Sequence, residues 1–207
     1  MINWFIKFLF SIIRPALGLI ILAGLLIYWF FKKKLPQERY LKISCFGFSG
    51  ILVIRSFVLT CLNYWIWSQD SISYRLLPPH NPISYFLKYS WQHYWFEPVV
   101  SILFASIVFL GIYWLNRRFE ENLFYNEEKY LASLGVLIIG WPNCLIYLCL
   151  VLLLGLLIHF LVIVFNLFKE IKDSRFSFLY LWFPCALLVL FLNDIINTYI
   201  GINIFNI

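Results

Sequence analysis

The chain has 207 residues, 63% of them hydrophobic and only 13% charged, which excludes a soluble domain, whose composition is typically about 45–50% apolar. Lipid must be the solvent for most of it, and no polar stretch is left for a separate soluble unit, so residues 1–207 read as one integral membrane domain. The net charge of +6 then reports which loops stay in the cytoplasm and implies no nucleic-acid partner.

A helix that crosses the hydrocarbon needs roughly 20 mostly apolar residues. The first candidate, PALGLIILAGLLIYWFF at 15–31, is closed by Lys32, Lys33 and Lys34. The stretch before it carries Lys7 and Arg14 and is expected to lie in the interface or to lengthen this span. No polar, small-residue cleavage region follows, so it does not read as a signal peptide. The second span covers 43–67, with Arg55 near its middle. Residues 68–97 are expected to form an aromatic interfacial loop. Pro78, Pro79 and Pro82 with Asn81 force a turn, and Tyr85, Phe86, Tyr89, Trp91, Tyr94, Trp95 and Phe96 suit a water–lipid boundary.

The third span, 98–115, opens with Pro98 at a tolerated first-turn position. Residues 130–168 are apolar throughout, too long for one crossing at about 1.5 Å per residue. Gly140-Trp141-Pro142-Asn143 breaks the run into a short arm at 130–141 and a full-length arm at 143–168. A last span covers 176–192. The expected fold is therefore all-α: a polytopic helical bundle of about six membrane arms, including a Gly-Trp-Pro-interrupted hairpin.

Charge sets the direction. Loop 32–42 holds Lys32, Lys33, Lys34, Arg39 and Lys42; loop 116–129 holds Arg117, Arg118 and Lys129; loop 169–175 holds Lys169, Lys172 and Arg175. Opposite them stand only Lys7, Arg14, Arg75 and Lys88. The richer side is cytoplasmic, which places the chain in the cell (inner) membrane with both termini outside.

Several polar residues require an account. Arg55 at mid-bilayer costs between about 2.5 and 17 kcal/mol depending on how it is measured, so it needs a carboxylate, an anion or exposed carbonyls. His159 reads as an interhelical hydrogen bonder. His80 and His93 have no carboxylate at helical spacing, so no metal site is expected. The five cysteines, Cys45, Cys61, Cys144, Cys149 and Cys185, contain no C-x-x-C pair and read as small buried hydrophobes. No cofactor is implied.

Glu120, Glu121, Glu127 and Glu128 are four of only ten acids in the chain. Acids in the first turn of a helix complement its dipole, and Glu120/Glu127 and Glu121/Glu128 share faces at a spacing of seven, with Arg117 able to pair with Glu120. A solvated cap explains them without chemistry. A glutamate pair could also begin a CaaX-protease motif, but Ala132 stands where arginine is wanted and only His159 follows.

The segment EEKYLASLGVLIIGW, 127–141, resembles the second catalytic segment of the type IV leader peptidases (prepilin peptidases), membrane aspartyl proteases. There a G-D-x-K-L-L-A-A-L-G-x-x-x-G-W-like sequence enters a membrane helix. Glu127 takes the aspartate's place, with Glu128 as its substitute, and Lys129 takes the lysine's. Leu131, Ala132, Leu134, Gly135, Gly140 and Trp141 fall on family-like positions. The family's other aspartate precedes a Leu-Pro turn, as Asp70 precedes Leu77-Pro78. The resemblance implies a carboxylate pair, Asp70 with Glu127, sharing one proton and activating water to cut the leader segments of prepilin-like membrane peptides, with Lys129 and Arg55 as charge partners. The Gly-Asp signature is here Asn126-Glu127, the paired C-x-x-C is missing, and the family's large cytoplasmic loop shrinks to 32–42. The charge count sets Asp70 outside and Glu127 inside, so the dyad requires residues 83–96 to dip through the membrane or Asp70 to reach inward. The alternatives are a non-enzymatic scaffold or assembly subunit of a membrane complex, partnered by other membrane subunits, and a small transporter using Arg55 and His159.

Overall fold

The computed structural model describes residues 14–25, 38–119, 124–166 and 178–200. Lys7, Lys32, Lys33, Lys34, Glu120, Glu121, Lys169, Lys172 and Arg175 lie outside the described residues. Among those described, all regular structure is helical: α1 (Arg14–Leu25), α2 (Glu38–Gln69), a 3-10 turn (Ser73–Leu76), α3 (Ile83–Ser90), a π-helical turn (Trp91–Trp95), α4 (Phe96–Arg118), α5 (Glu128–Ile139), α6 (Cys144–Asn166) and α7 (Leu179–Ile200). Three helices are long and apolar enough to cross a membrane: Glu38–Gln69, Ile83–Arg118 and Cys144–Phe165.

α5 is the centre. A helix that is apolar all round is a buried helix, and α5 hides Glu128 and every residue from Tyr130 to Ile138. It is sheathed by α4, α2, α7 and α6, and α1 closes on it where Gly18 meets Ile138 with no room for a β-carbon. Gly135 serves the same end, letting the Tyr147 ring of α6 lie against the α5 backbone. Lipid is as apolar as leucine, so such close approach works through dispersion and interhelical hydrogen bonds rather than through the hydrophobic effect. One such bond runs from the Ser133 hydroxyl to the Ala105 carbonyl of α4, at 3.1 Å.

α5 stops where the sequence predicts. Gly140 takes φ +80°, which a side chain would strain, and its N–H caps the helix on the Val136 carbonyl. The chain turns through Trp141-Pro142-Asn143, and α6 restarts with the Cys144 N–H on the Gly140 carbonyl, at 2.8 Å. At 12 residues, α5 spans about 18 Å, little more than half of a bilayer core of about 30 Å. The turn is enclosed by protein, with Asn143 buried and Trp141 and Pro142 partly buried.

The surrounding helices bury one stripe each. α2 buries Leu41, Phe48, Leu52, Ser56, Leu59, Asn63 and Trp67 at three- and four-residue steps, one face of a helix. α6 buries Cys144, Tyr147, Val151 and Gly155 in the same rhythm. Its other faces present leucine, isoleucine and phenylalanine outward, as lipid contact demands.

Residues 83–97, expected as an interfacial loop, are helical instead. From Ile83 to Arg118 the chain is one rod of 36 residues. Its π-helical turn resets the register so that the Trp95 indole reaches the Thr60 hydroxyl of α2, at 3.0 Å. Beyond it, Trp67, Leu77 and Phe86 form a second small core, with Trp67 and Phe86 edge to face, 5.4 Å apart. α2 also begins earlier and ends later than the expected 43–67, because Glu38, Arg39 and Lys42 are good helix formers that extend its first turns.

Candidate functional site

The polar groups collect at the two ends of α5. At its start, Glu127 is the N-cap residue; its carbonyl receives the Tyr130 and Leu131 N–H groups, at 3.1 and 3.2 Å, while its side chain is half-buried. Glu128 is fully buried and accepts the Trp182 indole N–H of α7 at 3.4 Å. A carboxylate in the first helical turn also meets the positive end of the helix dipole. Lys129 turns away from both acids. Its ammonium pairs with Glu38 at 3.4 Å and stands over the Tyr130 and Tyr113 rings, 5.3 and 5.9 Å from their centroids.

At the other end the last carbonyls of α5 need donors. The Arg14 guanidinium of α1 donates to the Leu137 carbonyl at 2.7 Å and pairs with Glu97 of α4. Ser101 is the hub beside it: its hydroxyl donates to the Glu97 carbonyl at 2.8 Å and accepts the Trp141 N–H at 3.0 Å and an Arg14 N–H at 3.4 Å. A cation here opposes the negative end of the α5 dipole. The buried Nε of Arg55 on α2 has no hydrogen-bond partner among the described residues.

Asp70 sits elsewhere. It is exposed and closes the turn after α2, accepting the Ser73 hydroxyl at 2.6 Å and the Ser73 N–H at 2.9 Å. These bonds, the hydroxyl first, hold its carboxyl below the usual carboxylate range.

The carboxylates read from the sequence are not brought together. Cys45 of α2 donates to the Tyr130 carbonyl at 3.2 Å, beside Glu127. From there α2 runs unbroken to Gln69, about 36 Å of rise, before Asp70 begins. Asp70 and Glu127 therefore stand at opposite ends of α2, and residues 83–96 are part of the helical rod that runs to Arg118. Of the expected charge partners, Lys129 pairs with Glu38, not with Asp70. Sequence reasoning missed Arg14, Glu97, Ser101, Glu38 and Trp182. Arg14 and Glu97 are separated by 83 positions, and the only local hint was a charge at the mouth of each apolar run.

No family model matches the chain, and no curated protein or solved structure matches it.

Proposed function

We propose that the protein is a non-enzymatic scaffold, an assembly subunit of a membrane complex, built on six membrane arms: α1, α2, the α3–α4 rod, α5, α6 and α7. In this reading it sits in the cell (inner) membrane, with loops 32–42, 116–129 and 169–175 in the cytoplasm. The observation that carries it is the length of the α2/α3–α4 hairpin. Thirty-two and thirty-six residues amount to about 48 and 54 Å of helix, against about 30 Å of hydrocarbon. The hairpin tip thus stands clear of the bilayer, stiffened by Trp67, Leu77 and Phe86. Its surface carries Ile72 (79% exposed), Leu87 (55%) and Tyr85 (49%), large apolar side chains that a protein partner would cover. Glu128 is packed against Trp182, Asp70 is taken up by the Ser73 turn, and peptidase chemistry would need Asp70 and Glu127 within reach of one water.

Site-specific photocrosslinking in native membranes tests this. Crosslinkers at Ile72 and Tyr85 should give one discrete protein adduct, which Ile72→Asp weakens and Glu127→Gln and Asp70→Asn leave intact. Cleavage of a prepilin-like membrane peptide by the purified protein, lost in Glu127→Gln, would overturn the proposal.

A further inference from the structure

Two cavities lie in tandem along one face of α4, one helical turn apart. The larger of the two, about 480 Å³, opens sideways between α2 and α4 with α5 as its floor. Phe46, Ile102, Phe109, Leu110 and Leu137 line it. Its serines do not make it polar: Ser49, Ser106 and Ser133 each donate to a backbone carbonyl four residues back, at 2.9, 2.8 and 2.7 Å. The smaller cavity, about 190 Å³, is polar, lined by Tyr113, Asn116, Arg117, Tyr125, Asn126 and Lys129. Lys129 joins the two, since it lines the polar cavity while its ammonium lies over the Tyr130 ring that walls the apolar one.

We infer that this pair of cavities is a binding site for one anionic glycerophospholipid, with an acyl chain in the apolar cleft and the phosphate in the polar pocket. Three features select this ligand. The apolar cleft falls in the range of about 300–1,000 Å³ typical of small-molecule sites and is open to the bilayer along its length. The pocket at its mouth is lined by two cations, Arg117 and Lys129, with Lys42 lining the cleft beside them, and no acid is among the described lining residues of either cavity. The donors also surround a compact space: two side-chain amides and two phenols beside the cations suit the several oxygens of a phosphate, and basic pockets between membrane helices are where anionic headgroups bind. A partner helix would fill the cleft but leave the polar pocket without a counter-charge. The site is independent of the scaffold proposal.

The test is native mass spectrometry of the full chain in detergent micelles, titrated with phosphatidylglycerol or with phosphatidylcholine of the same chains. One phosphatidylglycerol should be retained per protein, about tenfold more tightly than phosphatidylcholine. Arg117→Gln should remove most of that preference, and Ser106→Phe, which fills the cleft from an exposed position, should lower retention of both lipids. Where Lys129→Gln fails to insert for want of the Glu38 pair, Arg117→Gln with Lys129→Arg as control reads the headgroup arm instead. Equal retention of the two lipids would overturn the inference. So would displacement by glycerol phosphate at equal concentration, which would mark a soluble-phosphate site, or a crosslink from position 106 to another protein in place of lipid.

Discussion

Arg14 and Glu97 meet across 83 positions of sequence to close the deep end of α5, the guanidinium also bonding the Leu137 carbonyl at 2.7 Å. Arg14 is 7% exposed and Glu97 45%, so the pair is screened on one side only. Removing the acid alone leaves a desolvated cation, whereas removing both removes the need. Glu97→Gln should therefore destabilise by about 1–2 kcal/mol, discounted from the 3–5 of a fully buried pair, and the double variant Arg14→Met/Glu97→Gln by less. Reversible unfolding in mixed detergent measures both, and additive losses would count against the pairing.

The sheath around α5 depends on Gly135. A β-carbon there meets the Tyr147 side chain, which is itself fully buried. Gly135→Val should cost about 1–3 kcal/mol or more, and Tyr147→Leu in the same chain should restore part of it. The same detergent unfolding reads the rescue; a Gly135→Val protein as stable as the parent would show that α5 and α6 are not in contact there.

The two adjacent glutamates should separate cleanly. Glu128 is wholly buried against Trp182, so Glu128→Ala strands a buried donor and should cost about 1–3 kcal/mol. Glu127 caps through its backbone, so Glu127→Gln should stay within about 0.5 kcal/mol. Trp182 fluorescence gives a second readout: it should shift in Glu128→Ala and not in Glu127→Gln.

Asp70 makes the α2 turn pH-sensitive in one direction. Its folded pKa is depressed by Ser73, so its contribution is present above the ordinary carboxylate range and is lost as pH falls through the lowered value. The protection of the Tyr74–Leu77 amides, taken relative to their intrinsic exchange rates at each pH, should fall in acid, and Asp70→Asn should flatten that dependence, while the protection of α5 stays unchanged. A turn whose exchange ignores both acid and Asp70→Asn would refute the cap.

The break at Gly140 was legible because glycine beside Trp-Pro is a local signal, and the start of α5 was legible because acids prefer a first turn. Arg55, Asp70 and Glu127 were singled out by type, but their separation followed only from the charge bias of the loops. The helix at 83–97 was obscured by its composition. Three prolines precede it, and its aromatics suit a boundary loop as well as a helix; the π-helical turn that lets Trp95 meet Thr60 leaves no periodic trace. The pairing of Arg14 with Glu97 and of Lys129 with Glu38 could not be read, since long-range ion pairs carry no signature in spacing.

α5 meets protein on every side, yet α6 and α7, which supply part of its walls, are translated after it. A nascent chain that ends before Leu179 lacks Trp182, the donor to the buried Glu128 carboxylate, so the walls of the short helix are complete only when the last segment arrives.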